Sequence, residues 1–178
     1  LSGTVDKRTG MVINITELDR ILKEVSAEFD HKFINLDHPA FTTRIPTTEN
    51  LAAYMRNVIE QKLASQNHPH KLFRVTLYEE PTLYADVFSG EGRNMASLTK
   101  TFGFSAAHRL HSATLSEDEN KSVFGKCNNL HGHGHNYELE VTVHGEIDPR
   151  TGMIFDLGEL MHVVDEEIIS RFDHKHLN

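Results

Sequence analysis

The sequence predicts an α+β fold, an antiparallel sheet with helices packed on one side. Three observations carry this. Four segments alternate apolar and polar residues with the period of a strand: 73–80, 83–88, 101–111 and 133–143. Three stretches instead keep helical spacing, and Gly-, Pro- and Ser-containing turns separate the two kinds.

Along the chain, Leu18, Ile21, Leu22, Val25 and Phe29 form one apolar stripe with acidic residues between them, which predicts a helix. Pro46 and Thr47 or Thr48 supply a helix start, and Leu51, Met55, Val58, Ile59 and Leu63 give the stripe of a second helix over 48–64. FRVTLYEE sets Phe73, Val75 and Leu77 on one face, and LYADVF is its expected hairpin partner. Phe102, Phe104, Ala106, His108 and Leu110 share a face of the next strand. His133, His135, Tyr137, Leu139, Val141 and Val143 share a face of the last. Leu160, Val163, Val164, Ile168 and Phe172 predict a closing helix.

The 178 residues suit one domain or two small ones, and 38% hydrophobic with 25% charged residues is the balance of a folded chain. No apolar run approaches the ~18–20 residues of a membrane-spanning helix, so no membrane partner is expected. No basic-then-apolar leader pattern opens the sequence, and a start at Leu1 rather than Met is expected of a fragment or a trimmed chain. A net charge of -8 argues against nucleic acid as a partner. The single cysteine, Cys127, forms no internal disulfide and fits a reducing, cytoplasmic compartment. Thirteen histidines, crowded around position 130, call for a chemical reason.

The chain repeats part of itself. GTVDKRTGMVIN at residues 3–14 returns as GEIDPRTGMIFD at 145–156, and FDHKFIN at 29–35 returns as FDHKHLN at 172–178. The helical stretch between the blocks is one residue longer in the second copy. Two copies so far apart are not a solenoid. Polar FSGEGRNMASLTK between the halves reads as a linker, residues 89–99.

His133-Gly-His135 at strand spacing aims two imidazoles the same way, ~6–7 Å apart along the chain. His108, in phase on another strand, can supply a third nitrogen. Three neutral imidazoles suit Zn2+ with a fourth position open; scattered loop and core histidines are the plainer alternative. His131 sits nearby in a Gly-rich stretch, while His68, His70, His111, His144 and His162 read as solvent-facing. Cys127, six residues before His133, has polar neighbours that suggest an exposed loop, where a thiol beside a metal can act as base or nucleophile. Glu79 falls in phase with Val75 and Leu77, aiming a carboxylate at the apolar side, where it can anchor a heterocycle presenting paired N–H donors. The other reading is a frayed strand end in water. Asp30-His31 and Asp173-His174 each follow a helix; the carboxylate can orient the imidazole for proton relay, or the His can simply favour the helix dipole.

FSAAHRLHS, FGKCNNLHGHGHNYELEVTVHGEIDPRTGM and FDHKHLN closely resemble the front half of the 6-pyruvoyltetrahydropterin synthase family. GTVDKRTGMVIN, FDHKFINLD, PTTENLAAY and VTLYEE resemble its back half. The resemblance implies a tunnelling fold (T-fold): a four-stranded antiparallel sheet with two helices, closed into an oligomeric barrel as trimers stacked into a hexamer. It implies Zn2+ on His108, His133 and His135, often with Mg2+ associated. Cys127 would be the catalytic base aided by an Asp-His pair, and Glu79 would anchor the pterin with Thr47 and Thr48 beside it. The family converts 7,8-dihydroneopterin triphosphate to 6-pyruvoyltetrahydropterin with loss of triphosphate, a lyase step of tetrahydrobiopterin biosynthesis.

The halves stand in reversed order: 1–88 as a back half with Asp30-His31 and Glu79, 100–178 as a front half with the zinc ligands, Cys127 and Asp173-His174. A full site must then combine residues 100–143 with residues 1–88, within one chain or between chains. The related 6-carboxytetrahydropterin synthase activity usually places its Cys four residues before the zinc pair, where Asn129 stands here. Cys127 therefore favours the pyruvoyl activity. A zinc- or pterin-binding protein without turnover is the alternative of another class.

Overall fold

In the computed structural model, which describes residues 1–65 and 70–178, Asn14 accepts the Thr16 N–H and starts helix α1, Ile15–Ser26. Its apolar stripe buries Ile21 and Val25 against Ile59 and Leu63 of a later helix. Between the two helices lie a short turn of helix, α2 (Ile34–Asp37), and a 3-10 turn, Pro39–Phe41. Phe29, just past α1, stacks on the buried His38 at 4.7 Å and meets Phe41 and Tyr54 edge-on. That aromatic knot fixes the path of the chain into α3, Thr48–Ser65. The stripe of α3 is broader than its spacing predicts: Ala52, Ala53 and Arg56 are buried along with Ile59 and Leu63.

Strands β1 (Arg74–Glu80) and β2 (Leu83–Phe88) form the expected antiparallel hairpin, Val75 opposite Val87 and Leu77 opposite Ala85. Strand β3, Met95–His108, pairs antiparallel with β2 through Leu83–Lys100 and Ala85–Leu98. It begins inside the segment read as a linker: Ala96, Ser97, Leu98 and Thr99 are all buried, so this part of the strand is covered on both faces and carries no alternation to announce it. Strand β4, His133–Glu146, lies beside β3. Ser97 meets His144, Thr99 meets Thr142 and Phe104 stacks on Tyr137, so the partners run in opposite directions. Outer positions of β4 alternate with half-buried Tyr137, Leu139, Val141 and Val143, the face that period two predicts.

Helix α4, Glu117–Phe124, opens on a capping box between Ser116 and Glu119, and a 3-10 turn, Gly125–Asn128, follows it. The closing helix is α5, Leu157–Val164, then a π turn, Asp165–Ile169, then α6, Ser170–Phe172. A π turn absorbs one extra residue in a helix, which accounts for the one-residue surplus of the second copy. Strand β5, Lys175–His176, adds a short parallel pairing to Ala106–Ala107 of β3. The sheet is therefore the expected four-strand antiparallel path with a two-residue fifth strand beside it.

The chain forms two compact units, residues 1–100 with 142–154, and residues 101–141 with 155–178. The first holds α1, α3, the β1–β2 hairpin, the start of β3 and the end of β4. The second holds the rest of both long strands, α4 and the C-terminal segment. Among the described residues no helix is long and apolar enough to cross a membrane. His68 lies outside the described residues. His70, expected in solvent, is half-buried beside Gly3, because the Ser2–Lys71 bridge brings the start of the chain against it.

Candidate metal centre

The last residue of β3 and the first and third of β4 bring three imidazoles together. Ring centres of His108, His133 and His135 lie 4.7 to 5.1 Å apart, and one nitrogen from each falls within 4.8 Å of the others. The Nε2 atoms of His108 and His133 are 3.3 Å apart, about the edge of a tetrahedron with ~2.0–2.1 Å metal–nitrogen bonds. His133 Nδ1 is buried without a hydrogen-bond partner. Loss of solvation holds the His108 pKa below the ordinary imidazole value, and the neighbouring His133, His135 and His176 lower it further. A crowded trio, with His108 biased toward its neutral form and an orphaned buried nitrogen on His133, is a donor set that fits a divalent metal. Tyr137, stacked on Phe104, floors the cluster 5.8 Å from His135.

Beside it the two Asp-His copies part company. Both His31 and His174 sit at φ 55, so the backbone kink is common to both. Asp173 Oδ1 accepts the Ser105 N–H at 2.8 Å, Oδ2 meets His174 Nδ1 at 2.8 Å, and His174 N–H donates to the Ser105 carbonyl at 2.6 Å. These contacts, the Ser105 bond foremost, hold the Asp173 carboxyl below the usual carboxylate range. His174 and His135 line one open cavity of about 540 Å3, together with Asn136, Lys175 and His176. In the other copy His31, exposed as His174 is, has its Nε2 3.7 Å from Asp30. Sequence reasoning did not single out His176. Its signal was available: a His where the first copy has Phe33, at strand spacing from His174.

Cys127 is a free thiol in the 3-10 turn after α4, half-buried rather than fully exposed as its polar flanks suggest. The reason is backbone pairing: its carbonyl accepts the Leu110 N–H at 2.9 Å, tying it two residues beyond His108. The adjacent Asn128 accepts from Arg109 Nε through its carbonyl at 3.2 Å and its side chain at 3.1 Å. His131, by contrast, is exposed and lies outside the three-histidine cluster.

In the first unit, Glu79 is exposed rather than aimed at the apolar side. Register shifts between Tyr78 and Glu80, so Glu79 is the extra residue of a β-bulge and alternation breaks there. The bulge turns its carboxylate to the start of α3, where Thr48 Oγ1 donates to it. Thr47 Oγ1 donates to the Gly152 carbonyl at 2.6 Å. Glu49, missed from sequence, is buried and accepts the Ile154 N–H at 3.2 Å; burial pushes its carboxyl pKa up, and the nearby Glu79 adds to the rise. Glu79, Thr47, Thr48 and Glu49 thus gather in one unit, while the three histidines, Cys127 and Asp173-His174 gather in the other.

The profile of the 6-pyruvoyl tetrahydropterin synthase family matches residues 1–89 and 97–178. A 6-pyruvoyl tetrahydrobiopterin synthase of Drosophila melanogaster is 56% identical over 84 residues, 47% of this chain and 50% of the relative. That of Homo sapiens is 52% identical over 89 residues, 50% of this chain and 61% of the relative. The solved 6-pyruvoyl tetrahydropterin synthase of Caenorhabditis elegans is 47% identical, with a TM-score of 0.45 over 47% of this chain and 59% of that one. The chain therefore spans about half to three fifths of the relatives it matches. With the profile matched on both sides of residues 90–96, the chain belongs to the 6-pyruvoyl tetrahydropterin synthase family.

Proposed function

We propose that the protein is a zinc-dependent 6-pyruvoyltetrahydropterin synthase, a lyase taking 7,8-dihydroneopterin triphosphate to 6-pyruvoyltetrahydropterin with loss of triphosphate. The observation that carries this is the convergence of His108, His133 and His135, of which His135 also lines the cavity beside the Asp173-pinned His174. Zn2+ held by the three imidazoles would supply Lewis acidity toward side-chain oxygens of the substrate. Cys127 takes a carbon-bound proton as general base, and His174, held in one orientation by Asp173, passes protons between side-chain carbons. Asp30-His31 carries the same motif without the strand contact, which favours the second pair for this role. Glu79, with Thr48 donating to it and Thr47 beside it, accepts the paired N–H donors of the pterin.

Residues 1–88 act as a back half and 100–178 as a front half joined through 89–99. Complete sites form between subunits of a trimeric or hexameric barrel, since β1 leaves an open edge. Mg2+ accompanies the triphosphate, and the single thiol suits the cytosol.

The test is incubation of the Zn2+-loaded chain, with Mg2+, on dihydroneopterin triphosphate, followed by mass spectrometry of the products. The pyruvoyl pterin and free triphosphate are expected. A 6-carboxy product would assign the related activity, and bound but unchanged substrate would make the protein a binder without turnover.

A further inference from the structure

Arg44 spends its guanidinium on a neutral partner. Its Nε and Nη2 both donate to Asn50 Oδ1, at 2.8 and 2.5 Å. Arg44 is half-buried, and burial lowers its pKa from the ordinary guanidinium value, with no carboxylate among the described residues offsetting that shift. Asn50 is 4% exposed, and its Nδ2 donates to the Ile45 carbonyl at 2.8 Å. Arg44 is thus tied to Asn50, and Asn50 back to the neighbour of Arg44, which closes the turn 44–50 on itself.

This closure fixes an orientation. A guanidinium only donates, so Arg44 sets which end of the Asn50 amide is oxygen. The nitrogen end then faces Ile45 and lies against Gly152, where an added Cβ would stand 2.6 Å from Nδ2. The Ile45 carbonyl also accepts the Thr47 N–H at 2.9 Å. Thr47 opens α3: its Oγ1 accepts the Asn50 N–H at 3.3 Å and its carbonyl accepts the Leu51 N–H at 2.9 Å. The Thr47 hydroxyl proton is left for the Gly152 carbonyl, and the two residues that follow are Thr48, which donates to Glu79, and Glu49, which accepts the Ile154 N–H.

We propose that Arg44 is a positioning residue for the pterin ring: through Asn50 it sets the first turn of α3, which presents Thr47, Thr48 and Glu49 and meets Glu79. The assignment rests on the pterin reading of Glu79 given above. Among the described residues Arg44 bonds to Asn50 and to none of the groups assigned to hold the ring or move protons. Without Arg44 the buried Asn50 Oδ1 has no donor. The amide escapes that state only by turning over, which sets its oxygen against the Ile45 carbonyl. Either outcome loosens the turn that carries the ring contacts, while Cys127 and His174, in the other unit, keep their own bonds.

The test compares the Zn2+-loaded parent with Arg44→Met, which keeps the stem without donors, Arg44→Lys, which keeps one donor group, and Ile21→Ala, which weakens the same unit at the α1–α3 contact. Neopterin binding is read by its own fluorescence, beside steady-state kinetics on dihydroneopterin triphosphate and circular dichroism of each chain. Arg44→Met should bind neopterin about tenfold more weakly. Its KM should rise with kcat within about twofold, as loss of binding common to substrate and transition state requires. Arg44→Lys should recover part of the loss, and Ile21→Ala should bind as the parent does. Parent-like binding by Arg44→Met overturns the proposal, and so does an equal loss in Ile21→Ala, which would make the effect general loosening. Should Arg44→Met fail to fold, Arg44→Lys carries the test with an expected loss of about two- to fivefold, and parent-like binding there overturns it. A parent that binds no neopterin removes the pterin reading together with this assignment; a binding parent with an unchanged Arg44 variant removes the assignment alone.

Discussion

His133 carries one ring nitrogen facing His108 and another buried without a partner, which makes it the most exacting position in the cluster. His133→Ala and His135→Ala should each abolish bound zinc, measured by elemental analysis of purified protein, with the sheet unchanged by circular dichroism. The rings lie at the ends of strands whose pairing continues well beyond them, so losing one imidazole leaves the ladder intact. Cys127→Ala should retain zinc and lose turnover by ~10²–10⁴-fold, the usual contribution of a general base. Unchanged turnover in steady-state assays would move that role to His174. Cys127 is held through its backbone carbonyl rather than its thiol, so the variant should fold as the parent does.

At the scale of elements, the start of α3 and the α1–α3 contact give separate tests. Glu49 is buried with its carboxyl pKa raised, foremost by desolvation. A carboxyl whose folded pKa is raised contributes stability that is complete below its unfolded value, about 4.3, and is lost as pH rises through the folded value. The Glu49 contribution should therefore decline from acid toward neutral pH, so the difference in urea midpoint between the parent and Glu49→Gln should shift against the parent as pH rises. Ile21 is fully buried between α1 and α3. Ile21→Ala should cost about 2–5 kcal/mol in urea unfolding, as deletions of well-packed aliphatic groups do. The helix spacing of both elements is plain in the sequence; the buried Glu49 is not, because an acid in the first turn of a helix reads equally well as a favourable charge near the dipole.

For the whole molecule, the expectation is assembly. Tyr78 is exposed on β1, an edge strand, with exposed Phe73 just before it, and each chain carries Glu79 with Thr48 and its histidine trio in different units. A barrel built around a threefold axis should appear in light scattering at micromolar concentration, and an active, monodisperse monomer would remove the case for shared sites. Duplication adds a constraint found only at this scale. Both copies share a loop and an Asp-His kink, yet the first helix packs on α3 while the second copy supplies the loop held by Thr47 and Glu49 and the pinned His174.

Sequence by itself determined the main strands and helices and the three-histidine cluster. Period-two spacing put His108, His133 and His135 in phase on two strands, and the β1–β2 hairpin and the two main helices follow directly from their patterns. Those features depend on local geometry, which neighbours along the chain specify. Tertiary structure decided the rest. It started β3 at Met95, because pairing with β2 extends a strand through residues too polar to announce one. It turned the Glu79 carboxylate to Thr48 at the start of α3 through a bulge, since one unpaired residue breaks the alternation of the strand. It also set the surroundings of His31 and His174 apart. The two pairs are identical in sequence and backbone kink, and only the Ser105 N–H and carbonyl, brought alongside by the pairing of β3 with β5, tell them apart.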